Sequence, residues 1–335
     1  MRYIITLAFA STPVFAEVPK VVTDIPPVHA LVAEVMGDLG QPELLLGKGA
    51  DEHNFQLRPS QAGAVAGSDL VVWIGPELTP WLDSAMGTRP EGAASLALLD
   101  AEGTERRAYG EEGGAHDHDH AGEKPVDAAH DDHAHDEAGH DDETHDEHAN
   151  SEAGHDDHDD AHDGTDPHAW LDPGNGQHWL GLIAAELSRL DPDNAAIYAT
   201  NAEAASARIA TLDGEIAAML MPLQGKPLVT FHDAYGYFVA HYGLTFAGSI
   251  ALGDAASPGA ARLQALRATL ESGAVLCIFP EAQHDPALVQ QMAEGTGARI
   301  GGALDPVGST LEAGPDAYGA LLKRMATTLV DCVQG

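Results

Sequence analysis

The chain has 335 residues, with 16 Lys+Arg against 53 Asp+Glu and a formal net charge of −37. That charge excludes a nucleic-acid or anionic-membrane partner, either of which needs a basic face, and a 44% hydrophobic content excludes wholesale disorder. No run reaches the ~18–20 apolar residues of a membrane span, so an unanchored protein of one large or two ordinary domains is expected.

Arg2, the apolar residues 4–10 and the small-residue step Val14-Phe15-Ala16 read as a secretory signal peptide over residues 1–16. The alternative is a first buried strand. No cysteine follows the cleavage point, so a lipid anchor is not expected. A strand over residues 20–23 is ended by Pro26-Pro27, and apolar spacing predicts a helix over 28–36, closed by Gly37. A short apolar run at 44–46 leads into a polar loop over 47–55. Arg58-Pro59-Ser60 opens a helix with Ser60 as N-cap, residues 69–74 form a strand, and Trp81-Leu82 starts another helix. Strands alternating with helices predict βα units and a mainly parallel sheet.

Residues 111–166 break the pattern, with 22 Asp+Glu, one Lys and 12 of the 19 histidines. The stretch has no hydrophobic period and is expected to be a disordered surface loop. Histidine at this density also suggests weak, exchangeable metal binding by His116, His118, His120, His130, His133, His135, His140, His145, His148, His155, His158 and His162. Neighbouring carboxylates should raise these imidazoles, so metal held here should be lost below about pH 6.

Order returns at Asp166. A helix over 179–190 is stopped by Asp191-Pro192. A long one over about 194–220, with Ile197, Ile209, Leu212, Ile216, Met219 and Leu220 at helical spacings, is ~40 Å in length. A second βα series follows, with strands at 228–231, 245–248, 274–279 and 298–300 and helices at 235–241, 260–272, 288–294 and 318–330. The organisation is thus a signal at 1–16, an α/β lobe at 17–192 carrying the acidic loop, a linking helix at 193–223 and a second α/β lobe at 224–335. In an exported chain, Cys277 and Cys332 read as a disulfide worth at most ~4 kcal/mol by loop entropy. Two buried free thiols are the alternative.

Seven histidines lie outside the acidic loop. His29, His178, His241 and His284 read as ordinary hydrogen-bonded residues. His53 stands in a glycine-bracketed loop, His168 in an Asp-Pro-His turn and His232 at the end of a buried strand, where parallel α/β sheets bind ligands. Three imidazoles meeting there suit Zn2+, and either Glu52 or Asp305 could complete a tetrahedron. A zinc hydrolase with Glu52 as general base is the rival from another class. The chain has neither an HExxH motif nor a nucleophile elbow, so no enzyme is expected.

The words around these residues resemble a family. Gly49-Ala50-Asp51-Glu52-His53-Asn54-Phe55 with Leu57-Arg58-Pro59-Ser60 resembles the first metal loop of the ZnuA-type zinc-uptake substrate-binding proteins of ABC transporters, in the cluster that also holds manganese-binding proteins and streptococcal adhesins. Asp69-Leu70-Val71-Val72-Trp73-Ile74-Gly75-Pro76-Glu77 looks like the strand that follows. Asp166-Pro167-His168-Ala169-Trp170-Leu171 resembles the second metal loop, Phe231-His232-Asp233-Ala234-Tyr235-Gly236-Tyr237-Phe238 the third, and Leu304-Asp305-Pro306-Val307-Gly308 the acidic loop. Cys277 and Cys332 stand where such proteins carry a disulfide.

The resemblance implies two (β/α) lobes with mainly parallel sheets, joined by a long rigid backbone helix, with metal in the cleft between them and little closure. It implies a monomer that captures Zn2+ in the periplasm for an inner-membrane ABC zinc permease with a cytoplasmic ATPase. Carried over by position, His53, His168 and His232 are the ligands, and Glu52 is favoured over Asp305 as the fourth. Manganese members typically carry a carboxylate where His232 stands, so the imidazole here shifts preference from Mn2+ toward Zn2+; specificity for Mn2+, Ni2+ or Cu2+ is a further alternative. Ala247-Gly248-Ser249 replaces a histidine that assists a secondary site in some members. An adhesin or chaperone on the same fold is the related alternative.

Overall fold

The computed structural model describes residues 17–53, 55–109, 164–251 and 258–335. The signal-peptide segment and all twelve histidines of the acidic loop lie outside these residues. The first βα series builds β1 (Val21–Thr23), α1 (Pro26–Met36), β2 (Glu43–Leu44), α2 (Pro59–Ala66), β3 (Leu70–Trp73), α3 (Pro80–Met86) and β4 (Ala94–Ala97). Its strands pair in parallel in the order β2-β1-β3-β4. An antiparallel ribbon of β5 (Arg107–Ala108) and β6 (Thr165–Asp166) flanks the acidic insertion. Next come α4 (Pro173–Leu190) and α5 (Ala195–Leu220).

The second series is β7 (Leu228–His232), α6 (Gly236–Tyr242), β8 (Phe246–Ala251), α7 (Ala260–Glu271), β9 (Cys277–Ile278), α8 (Ala287–Ala293), β10 (Arg299–Ile300) and α9 (Ala317–Gln334). It forms a parallel sheet ordered β10-β9-β7-β8.

Both sheets are buried on two faces, as parallel sheets must be when helices cover them. The two-residue period divides the side chains accordingly. Val21, Leu70 and Val72 face the large central core, while Val22, Val71 and Trp73 pack outward with Leu45, Val65 and Leu82. In the second sheet Leu228 and Cys277 face the same central core, and Val229 and Ile278 pack with Ile250, Leu266 and Leu270. The long helix α5 packs on α1, α4 and α9, burying Tyr198, Ala202, Ala205, Ile209, Ile216 and Leu220. It therefore touches helices from both series and ties them through one continuous core. Cys277 and Cys332 are bonded, fastening α9 to β9.

The structure departs from the sequence reading at several boundaries. The helix expected at 28–36 begins at Pro26, because a proline at the first helical position needs no N–H partner and has its φ preset. Arg58, not Ser60, is the N-cap of α2; its N–H donates to Gln61 Oε1 at 2.9 Å, with Pro59 as the first helical residue. The strand expected at 274–279 is regular only at Cys277–Ile278. β4 was not foreseen, because Ala-Ser-Leu-Ala lacks the β-branched and aromatic residues that mark strands.

Two titrating groups are built into this frame. Asp24, just past β1, is fully buried and accepts the N–H groups of Ile25 and Ile74, each at 2.8 Å. Burial pushes its carboxyl up to about 7. His241, near the end of α6, lies 2.9 Å from both Asp172, which caps α4, and Asp213 of α5. The Asp172 hydrogen bond leads in raising it above the ordinary imidazole value.

Between pH 3.8 and about 7 the unfolded chain ionises Asp24 while the folded chain keeps the proton, so this group lowers stability as pH rises. The His241 contribution is complete below the unfolded imidazole value and is lost as pH climbs through the raised folded one. The melting temperature of the metal-free protein is therefore expected to fall between about pH 5.5 and pH 8, less steeply in His241→Ala. Calorimetric melting across that range checks it.

Candidate metal centre

Three chain segments bring imidazoles to one place. His53 stands in the β2–α2 connection, where Asp51 Oδ1 accepts its backbone N–H at 2.8 Å. Trp81 Nε1 donates to the Glu52 carbonyl at 2.8 Å, and the Phe55 ring meets Trp81 at 5.0 Å between centroids, so two aromatics brace the loop. His168 follows β6 by two residues. Asp166 Oδ1 accepts its backbone N–H at 3.0 Å and lies 2.7 Å from its ring Nδ1. His232 is the last residue of β7, with Nδ1 2.6 Å from Glu281 Oε2. The other oxygen of Glu281 accepts the Tyr235 hydroxyl at 2.8 Å.

The ring centroids are 5.7 Å apart for His53–His168, 5.3 Å for His168–His232 and 6.5 Å for His53–His232. One ligand atom from each lies within 4.8 Å of the others. His168 and His232 are 0% and 1% exposed. With Nδ1 of each facing a carboxylate, Nε2 is the nitrogen left to look inward. Nε2 of His168 is buried and has no hydrogen-bond partner among the described residues. A buried nitrogen of that kind is costly unless something binds it. Three imidazole nitrogens around one buried point, with carboxylates behind the His168 and His232 rings, match a zinc site and its outer hydrogen bonds.

Asp166 and Glu281, which lie against the His168 and His232 rings, are the two carboxylates that sequence reasoning did not single out. Asp166 was in view as the first residue of the Asp-Pro-His turn. Glu281 had one usable signal, an acid just beyond the carboxyl end of a buried strand.

The two candidates for a fourth ligand are placed differently. Glu52 is 2% exposed and shares a small cavity with His232, Glu281 and His284. Asp305 holds its own loop together: Oδ1 accepts Ser309 N–H at 2.8 Å, and Oδ2 accepts the Thr310 N–H and hydroxyl at 2.8 and 2.6 Å. Neither acid belongs to the cluster formed by the three imidazoles.

Among the remaining histidines, His29 hydrogen-bonds the Pro42 carbonyl, His178 that of Glu102, and His241 its two aspartates. His284 stands beside Glu281 and His232. Its Nε2 lies 3.8 Å from Glu281 Oε2. The Ser249 hydroxyl, where some family members carry a histidine, accepts Arg262 Nη2 at 2.8 Å.

The family described as zinc-uptake complex component A, periplasmic (ZnuA) matches residues 21–332. The chain belongs to this family. The high-affinity zinc uptake system protein ZnuA of Paracoccus denitrificans is 53% identical to it, over 98% of this chain and 95% of that one. The ZnuA protein of Brucella abortus is 39% identical, over 97% of this chain and 95% of that one. In fold, the Pseudomonas aeruginosa solute-binding protein FpvC in complex with Mn2+ aligns with a TM-score of 0.71 at 19% identity, covering 95% of this chain and 99% of that one. The laminin-binding protein Lmb of Streptococcus agalactiae, described as bifunctional with adhesin and metal-transporting activity, aligns at 0.69 and 21% identity, covering 94% and 99%. The matched residues contain both βα series and His53, His168 and His232.

Proposed function

We propose that this ZnuA-family protein captures Zn2+ in the periplasm, to which a cleaved leader over residues 1–16 directs it, and delivers the ion as a monomer to an inner-membrane ABC permease with a cytoplasmic ATPase. The observation that carries the reading is the convergence of His53, His168 and His232. The role is carriage, not catalysis. The described residues bear no helix long and apolar enough to cross a membrane, and the Cys277–Cys332 bond suits an oxidising compartment.

His53, His168 and His232 are the ligands in this reading, and imidazole in all three positions favours zinc over manganese. Glu52 supplies the fourth ligand in preference to Asp305, whose carboxylate already accepts three hydrogen bonds. Lobes at 17–192 and 224–335 flank a stiff helix at 193–223, which limits closure. The twelve histidines of the acidic insertion serve as a weak, exchangeable zinc reservoir. Calorimetric titration of the full chain and of a variant lacking residues 114–162 tests both parts. One tight equivalent should survive deletion and the weak ones should vanish. Loss of the tight equivalent would place primary ligands in the insertion, and unchanged stoichiometry would end the reservoir idea.

With the ion held by the three histidines, Asp166 and Glu281 orient their rings and are not among its ligands. Asp166→Asn or Glu281→Gln should each weaken zinc binding by about 10–100-fold while leaving one equivalent bound. Competition against a chromogenic chelator measures this. An effect below twofold would mean that packing alone holds the rings.

A further inference from the structure

His232 belongs to two clusters. Its ligand atoms lie within 4.8 Å of His53 and His168 on one side and of Glu281 and His284 on the other. The second cluster is built, not incidental. Glu281 is 3% exposed, and its Oε2 stands 2.6 Å from His232 Nδ1 and 3.8 Å from His284 Nε2. The His284 ring stacks on Phe231 at 4.3 Å and 23°, which fixes the plane in which its nitrogens lie. Gln283 Oε1 is buried without a hydrogen-bond partner among the described residues, and Gln283 lines the small cavity shared by Glu281 and His284. Whereas the His168 and His232 side chains are each 1% exposed, that of His284 is 20% exposed.

From this the geometry points to an outer zinc subsite, formed by Glu281, His284 and His232 Nδ1, through which the ion passes on its way to and from the inner site. The inference rests on the zinc-carrier reading above and extends it to the route.

The chemistry of His232 makes the two subsites alternatives. A neutral imidazole offers one lone pair and carries one N–H. Zinc at the outer subsite takes Nδ1 and leaves the proton on Nε2. Zinc at the inner site takes Nε2, and the proton then sits on Nδ1, facing Glu281. Moving inward therefore transfers one proton from Nε2 to Nδ1 by way of water, with no net gain or loss. His284 and Glu281 hold the ion while His232 exchanges nitrogens, so it need not return to bulk water between shells. A subsite on the path lowers the barrier in both directions and leaves the end-point equilibrium alone.

Stopped-flow mixing of Zn2+ with the metal-free full chain, read by tryptophan fluorescence through Trp81 on the His53 loop, tests the route. In His284→Ala, association and dissociation rates should both fall about tenfold, with the dissociation constant unchanged within about twofold. Unchanged rates would overturn the outer subsite. So would a rise in dissociation rate alone, which would make His284 a support of the inner site. A second measurement covers a variant that folds poorly. In crystals of His53→Ala/His168→Ala soaked in Zn2+, anomalous density should appear between Glu281 and His284, and its absence there would equally overturn the subsite. Failure of the carrier reading looks different, because the unaltered protein would then bind no tight equivalent at all.

Discussion

His168→Ala is expected to weaken tight zinc binding by about 10²–10⁴-fold. A four-ligand structural zinc site is worth roughly 10–16 kcal/mol, so removing one of three imidazoles costs a few kcal/mol. Two features place this position at the upper end. The ring is fully buried, so water that replaces it must occupy an apolar-walled gap beside Trp170, whose ring lies 5.2 Å away. The change also strands Asp166, whose carboxylate then faces the site without the imidazole it orients. Competition with a chelator at fixed pH measures the loss, and His178→Ala, hydrogen-bonded to the Glu102 carbonyl, serves as the control that should not move. An effect under tenfold would mean that His168 is a wall and not a ligand.

The convergence of His53, His168 and His232 was legible because these residues sit at punctuation marks in the sequence. A histidine after a glycine-bracketed loop, one after Asp-Pro, and one at the end of Leu-Val-Thr-Phe each announce a strand or turn end, and parallel sheets gather such ends on one side. The long helix was legible from its apolar spacing, and the paired cysteines from their number. What sequence did not carry was side-chain pairing across long separations. The Glu281–His232 contact joins residues 49 apart, and nothing in Pro-Glu-Ala-Gln distinguishes that acid from a surface one. The role inferred for His284 is invisible in sequence for the same reason, since it rests on the Glu281 carboxylate and the Phe231 ring beside it. β4 escaped because its strand character comes from pairing with β3, not from its own residues.

Replacing both bonded cysteines, Cys277→Ala with Cys332→Ala, is expected to cost up to ~4 kcal/mol, because the bond closes a long loop and removes freedom from the unfolded chain. For a chain of this size the melting temperature should drop by up to roughly 10 °C. The sequence separation is 55 residues, and that interval contains α8, β10 and the Asp305 loop, so the whole far edge of the second sheet loses its fastening. Zinc binding should suffer far less. Cys277 lies in β9 four residues before Glu281, and β9 remains paired with β7 through Leu228 and Val229, so the acid that orients His232 keeps its strand. The affinity change is therefore bounded by the ~10–100-fold attached to an orienting partner, and zinc should recover part of the lost stability because the three histidines converge only in the folded chain. Scanning calorimetry of the variant with and without Zn2+ separates the two effects. A melting temperature lowered by less than about 3 °C would mean that core packing of α9 already restrains the chain and that the bond adds little to it.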